Sequence, residues 1–286
     1  MLEASSVTRT PQRTRFHCRL HTRDSRPEIM DAEWLDLSEV RNTDISFLRT
    51  NRSLRILYVG SAYTLAGVSE LTQVRELRLL HIPKVTSLEP VSRLQGLQIL
   101  VVATPPSWDA SRRCIEVESL APLGRLKNLG RLDLCGVLPR DRTLKPLGEL
   151  VNLRQLLISH VYAFGMEDYA DLARHLPRTV GACLRPCYSM GFETPCRKCR
   201  GQTVFLTGPR PRTRRQLCPT CDRAKLEEHI AEWNRITGRV FAYPAKAKDV
   251  AIERPVPLEE LQDAVLPRTR MKRGTARRKR RVRGTQ

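Results

Sequence analysis

Through the middle of the chain, aliphatic residues recur at intervals of three, three, three and two. The pattern L-x-x-L-x-x-L-x-x-L-x-L fits Val68, Leu71, Val74, Leu77 and Leu79, then Val91, Leu94, Leu97, Leu100 and Val102. It fits again at Leu123, Leu126, Leu129, Leu132 and Leu134, and at Leu147, Leu150, Leu153, Leu156 and Ile158. An earlier copy uses Leu48, Leu54, Leu57 and Val59, with Asn51 in an aliphatic slot, and Leu35 and Leu37 form an opening half-copy. The closing L-x-L pair has the period of a strand, whose successive side chains point to opposite faces. Strands are therefore expected around Leu35, Leu57, Leu77, Leu100, Leu132 and Leu156, each followed by a return segment. Neither part buries its leucines alone, so neighbouring copies must stack to make a core. The widest gap, between Leu100 and Leu132, contains "ATPPSWDASRRCIEVES". Its prolines and serines predict a surface loop.

The residues alternating with the strand leucines belong to the other face of the sheet. These are Trp34, Asp36, Ile56, Tyr58, Glu76, Arg78, Ile99, Val101, Arg131, Asp133, Gln155 and Leu157. The mixture of aromatics, both charge signs and an apolar centre suits a protein partner. A phosphate-binding face would need dominant Lys and Arg. Trp34, Asp36, Tyr58, Arg78, Val101, Asp133 and Leu157 are the candidate contact residues, and Ile99, Val101 and Leu157 would form an apolar patch that needs cover. A solvated sheet without a partner is the alternative.

Two helices follow from the pattern. In "MEDYADLARHLP", Tyr169, Leu172 and Leu176 share a face, and the helix is expected to cap the array before Pro177. In "DRAKLEEHIAEWNRITG", Asp222 is a candidate N-cap, Leu226, Ile230, Trp233 and Ile236 make the apolar stripe, and Gly238 ends it. "PLEELQDAVLP" suggests a last short helix from Pro257 to Leu266.

Composition changes this picture mainly through charge. The 286 residues carry a formal +20, but residues 31–178 hold only about +2 of it, by the count of Lys and Arg against Asp and Glu. Residues 196–221 carry seven basic and no acidic side chains, and residues 267–286 carry ten and none. A body built throughout for nucleic acid is thus excluded. The tail "PRTRMKRGTARRKRRVRGTQ" lacks the apolar content to fold alone and would attract RNA or DNA without sequence specificity. No run of about 18 apolar residues exists, so no membrane span is expected. The opening segment shows no apolar signal-peptide core, and Met30 is a second candidate start. Nine cysteines without such a signal point to a reducing, cytoplasmic setting.

Four of those cysteines stand as two pairs, Cys196–Cys199 and Cys218–Cys221. Two residues between sulfurs let one tight turn aim both at one ion, and two such turns close a tetrahedron. A redox pair would call for a βαβ setting, which is missing, and a disulfide pair is the remaining alternative. Four cysteines leave no open position, so the expected zinc is structural. Cys183 and Cys187 read as packing residues or as support for the site. Arg210, Arg212, Arg214 and Arg215, between the pairs, are candidate contacts to nucleic-acid phosphate. A solvated hairpin tip is the alternative. The chain has no GxxxxGK[ST], HExxH or GxSxG motif, and no enzyme activity is expected.

The segments "SLEPVSRLQGLQILVV", "SLAPLGRLKNLGRLDL" and "TLKPLGELVNLRQLLI" strongly resemble the internalin-type class of leucine-rich repeats, of about 22 residues each. The asparagine ladder usual after the strand is largely missing. The cysteine pairs with "QTVFLTG" and "RRQL" between them resemble a zinc ribbon, although Gly201 falls one residue later than in the usual CxxCG knuckle. The resemblance implies an α/β solenoid: a leucine-rich repeat array with a parallel concave sheet, then a small zinc-ribbon hairpin plus helix. The expected layout is a disordered basic leader over 1–30, the array and its helical cap over 31–178, and a linker over 179–194. The ribbon with its helix follows over 195–240, a short helical extension over 241–266 and a disordered basic tail over 267–286. In this layout the repeats bind a protein through the concave face. The second possibility is that ribbon and tail hold RNA or DNA.

Overall fold

The computed structural model describes residues 8–10, 13–17, 31–37, 45–60, 62–104, 114–159, 163–189, 193–208 and 216–241. Its centre is an eight-stranded sheet. The strands expected from the leucine pattern are β3 (Trp34–Leu37), β4 (Ile56–Gly60), β5 (Glu76–Leu80), β6 (Ile99–Ala103), β8 (Arg131–Cys135) and β10 (Gln155–Ile158). They pair in parallel in that spatial order.

Register carries the periodicity across the sheet. Leu35, Leu57, Leu77, Leu100, Leu132 and Leu156 stand side by side, and Leu37, Val59, Leu79, Val102, Leu134 and Ile158 form a second row. All twelve are buried in one continuous core. The leucines between strands complete it from short return turns, mostly single 3-10 turns such as Val68–Glu70, Glu89–Arg93 and Lys145–Glu149. One is the α-helical turn α1 (Ala121–Gly124). A slip of one residue in any strand would turn its leucines out of the core, so burial fixes the register.

Asn51, in an aliphatic slot of the repeat, is fully buried. Its Nδ2 donates to the Ala32 carbonyl at 3.0 Å, and its Oδ1 accepts from the Ser53 and Leu54 backbone N–H groups at 2.9 Å each. Gln73 Nε2 in turn donates to the Asn51 carbonyl. Later turns repeat the device: Asn128 donates to Gln95 O and Asn152 to Lys127 O, both at 2.8 Å. An amide ladder between repeats does exist. It lies in the turns before β4, β5, β8 and β10, whereas the family pattern places it after the strand.

Three boundaries differ from expectation. Within the supposed leader, β1 (Thr8–Thr10) pairs antiparallel with β2 (Arg13–His17), and β2 pairs parallel with β3, so the sheet extends beyond the half-copy. The supposed surface loop contributes β7 (Ile115–Val117), which pairs in parallel with β9 (Val137–Pro139). Its two-residue alternation of buried Ile115, exposed Glu116 and buried Val117 is a strand signal that the surrounding prolines and serines obscure. The supposed linker is folded as well. Val180 bridges to Gln155, Ala182–Leu184 forms a 3-10 turn with Cys183 in the repeat core, and β11 (Cys187–Tyr188) enters the next sheet. Cys183 and Cys187, both buried, anchor this stretch, while Val180 is held by its backbone bridge and leaves its side chain exposed.

The cap helix α2 (Met166–His175) buries Tyr169, Ala170, Leu172 and Ala173 against the array. Next to it, β11, β12 (Val204–Leu206) and β13 (Gln216–Leu217) make a three-stranded antiparallel sheet, one strand more than a simple hairpin. The last described element is α3 (Arg223–Thr237), closed by Gly238 in the left-handed conformation at φ 67°. The short helix expected over Pro257–Leu266 and the tail lie outside the described residues.

Asn51→Leu restores the aliphatic pattern, yet it should destabilise the protein. The change strands the Ala32 carbonyl and the Ser53 and Leu54 N–H groups in the core, and each buried unsatisfied group costs about 1–3 kcal/mol. Urea denaturation checks this, and an unchanged or raised midpoint would contradict the polar role given to Asn51.

Candidate metal centre and second face of the sheet

Each cysteine pair is closed as a tight turn by the backbone. Arg200 N–H donates to Cys196 O at 2.9 Å, and Asp222 N–H donates to Cys218 O at 2.8 Å. Each turn is then tied back once more. Cys196 N–H reaches Gly201 O at 2.8 Å, while Cys218 N–H reaches the Asp222 carboxylate at 3.0 Å. That last bond corrects an expectation: Asp222 sits at the start of α3 but makes no side-chain cap, because its carboxylate serves the second turn.

The two turns bring the sulfurs of Cys196, Cys199, Cys218 and Cys221 within 4.8 Å of one another, with Cys199 and Cys218 3.5 Å apart. Four thiolates about 2.3 Å from a tetrahedral ion would stand about 3.8 Å apart, so the donor set can hold one metal ion and fits a thiophilic one. Backbone N–H groups point at the sulfurs, from Gly201 to Cys199 and from Cys221 to Cys218, both at 3.4 Å. Hydrogen bonds from the Cys199 and Lys198 backbone lower the Cys196 thiol to about 6. Cys221, hydrogen-bonded to Cys199 and crowded by the other sulfurs, is pushed up to about 12. Clustered thiols oppose further deprotonation of their neighbours, and a bound cation reverses that penalty.

The displaced glycine has a geometric account. Arg200 occupies the left-handed conformation at φ 61°, the position a glycine after the second cysteine would take. Gly201 then donates to Cys199 from one residue further on.

The remaining described cysteines lie apart from this group. Cys183 is buried in the repeat core and Cys187 in the core of the small sheet, where burial raises its thiol to about 12. His229, on α3, is no ligand: its Nε2–H donates to the Pro186 carbonyl at 2.9 Å, and burial lowers its pKa. Arg210, Arg212, Arg214 and Arg215 lie outside the described residues. Among the described ones, the first turn presents exposed Arg197, Lys198 and Arg200.

The other candidate site is the sheet face opposite the leucine rows. Register groups its residues into two lines, Trp34–Ile56–Glu76–Ile99–Arg131–Gln155 and Asp36–Tyr58–Arg78–Val101–Asp133–Leu157. The expectation of a solvent-facing surface fails for much of it. Trp34, Tyr58, Arg78, Val101 and Asp133 are all 0–3% exposed, and only Asp36 and Leu157 among the candidate contacts are half-buried.

Four of its charges pair within the sheet. Glu76 Oε1 accepts from Tyr58 OH at 3.0 Å and from Arg78 Nε at 2.6 Å, and the Arg78 guanidinium lies 4.7 Å over the Tyr58 ring. Burial, and then Glu76, push the Tyr58 hydroxyl well above its usual pKa. Trp34 meets Tyr58 edge-on at 5.7 Å, and Arg131 holds Asp133 with its nearest contact at 2.8 Å. Sequence alternation locates these residues on one face, but it cannot show that Glu76, Arg78, Arg131 and Asp133 already have partners two residues or one strand away. Apart from half-buried Asp36 on β3, the accessible part is the corner over β6, β8 and β10, where Ile99, Arg131 and Leu157 are half-buried and Gln155 is exposed.

No protein-family model matches the chain, and no curated protein matches it. Among solved structures the chain is similar to an internalin of Listeria monocytogenes, at 20% identity over 54% of this chain and 63% of that one, with a TM-score of 0.42. It is similar to a leucine-rich repeat protein of Leptospira interrogans, at 20% identity over 54% of this chain and 38% of that one, with a TM-score of 0.39. A plant peptide hormone receptor in complex with RGF2 is similar at 13% identity over 51% of this chain and 23% of that one, with a TM-score of 0.38. The matched part spans less than two thirds of each of these proteins.

Arg200→Gly relieves a side chain held in the left-handed region, which costs an L-residue about 1–2 kcal/mol, partly offset by the greater freedom of glycine in the unfolded chain. The metal-loaded variant should melt slightly above the parent in a thermal scan. A lower melting temperature would mean that the Arg200 side chain has a stabilising contact that outweighs the strain.

Proposed function

We propose that this chain is a non-catalytic protein-interaction module, in which the repeat sheet receives a partner and a structural zinc ion holds the ribbon. The observation that carries the first part is the corner formed by Ile99, Arg131, Gln155 and Leu157. It joins two aliphatic side chains to a cation already fixed by Asp133, a combination suited to the centre and rim of a protein interface. The buried half, from Trp34 to Arg78, acts as a rigid support for that corner. For the second part, the support is the closed set of four sulfurs. Zinc is the ion whose tetrahedral preference and four-thiolate chemistry fit it, and a filled shell leaves no position for substrate. A thiol-held ion and the absence of disulfides among the described cysteines suit a reducing compartment such as the cytoplasm. Among the described residues, no helix is long and apolar enough to cross a membrane.

A second reading is contact with RNA or DNA through the ribbon and tail. The exposed Arg197, Lys198 and Arg200 favour it, because they would continue the charge of Arg210, Arg212, Arg214 and Arg215. Binding that persists without residues 267–286, and weakens when Arg197 and Lys198 become Ala across a salt series, would support a ribbon site.

The interaction reading is tested by cross-linking a captured partner to the parent and to two variants. Leu157→Asp should abolish capture, while Val151→Asp, at a position 72% exposed in a return turn, should keep it. Equal capture by both variants would rule out the corner. The zinc reading expects about one equivalent of zinc per chain by elemental analysis, released when the four thiols are modified.

A further inference from the structure

The ribbon and the array share a helix. On α3, Leu226 and Ile230 belong to the core of the small sheet with Cys187, Val204, Leu206 and Leu217. Trp233, one turn further on, is buried in the repeat core together with Tyr169 and Leu172 of α2, and Ile236 packs against that same core. The one apolar stripe of Leu226, Ile230, Trp233 and Ile236 is thus split between two cores.

Two further contacts lock the units together. Gly208, just after β12 and at φ 58°, lies so close to α2 that a Cβ there would come 2.4 Å from Met166 N and 2.6 Å from the Gly165 carbonyl carbon. Any side chain would force the ribbon off the helix. His229 fastens α3 to Pro186, between the last 3-10 turn and β11.

From this arrangement we infer that the ribbon is the C-terminal cap of the repeat array, and that metal occupancy controls how tightly the last repeat is closed. The inference rests on the proposed ion at the four cysteines. An array of repeats needs a closing element at each end, because its terminal repeat has no neighbour to cover its core. Part of that cover here is Trp233. The strands behind it are only two or three residues long, too little to hold a sheet without a staple. The ion would supply the staple next to the start of α3, since Cys221 and Asp222 directly precede Arg223. Losing the ion frees α3, withdraws Trp233 and uncovers the core around Tyr169 and Leu172. Contacts in such an array pass only between neighbours, so opening should begin at β10 and α2 and fade towards β4.

Hydrogen–deuterium exchange on the full-length protein tests this, with metal content measured in parallel. The probes are zinc itself and a zinc chelator under reducing conditions. On chelation, exchange over residues 153–176 should rise about tenfold or more while residues 54–60 stay unchanged, and added zinc should restore protection. If the protein binds no zinc, both the metal reading and this inference fall. If zinc binds and chelation loosens only residues 193–237, the metal reading stands and the capping inference is wrong. Trp233→Ala gives an independent check in the zinc-loaded protein. It should keep its zinc and still show faster exchange over 153–176, and unchanged exchange there would overturn the inference.

Discussion

The structure depends on lateral stacking of aliphatic side chains in two rows. No single strand of four or five residues has a stable existence, because a short strand leaves its backbone and one face unpaired. Placed beside a copy of itself in the same register, each strand buries its leucines against those of its neighbour and shares its hydrogen bonds. Every other feature adapts to that constraint. The return turns are short because they must bring the chain back by one strand spacing. Charged residues are pushed either outward on the turns or onto the second face. There, proximity makes them pair, as with Arg78 and Glu76 or Arg131 and Asp133.

The repeat core was legible because it rests on a long-range period that survives irregular turns. Leu132 and Leu156 could be placed side by side from spacing alone. The cysteine centre was legible for the same kind of reason, since the spacing within each pair is dictated by the size of a turn and the reach of a sulfur. What stayed hidden depends on contacts between parts distant in sequence. Asn51 looked like a flaw in the repeat because its side chain bonds backbone groups of Ala32, Ser53 and Leu54, which sequence letters do not display. Trp233 looked like part of the ribbon because it shares a helical stripe with Leu226 and Ile230. A stripe shows that a helix face is covered without showing how many bodies cover it. The interior status of Trp34, Tyr58 and Val101 was likewise beyond alternation, which separates the two faces of a strand but not a wet second face from a dry one.

The two candidate sites differ in how local their construction is. The metal centre is assembled by turns of five or six residues, each closed by its own backbone bonds, and a substitution elsewhere leaves its geometry intact. The second face of the sheet is spread over six strands. Each member is positioned by a different repeat, and its electrostatics are shared across strands through Tyr58, Glu76 and Arg78. Such a surface tolerates change poorly at its buried end and well at its open corner.

The splitting of α3 between two cores also bears on how such a chain can change length over generations. Repeat arrays grow and shrink when a unit of the gene is duplicated or lost. A new copy placed among β4, β5, β6 and β8 meets the same leucine rows on both sides and is accommodated. A copy placed after β10 would have to displace Val180, Gly181 and the 3-10 turn Ala182–Leu184, which adjoin that strand and do not resemble a repeat. Lineages of this protein should therefore vary in the number of middle repeats while the final repeat, the cap helix and the ribbon are inherited as one block.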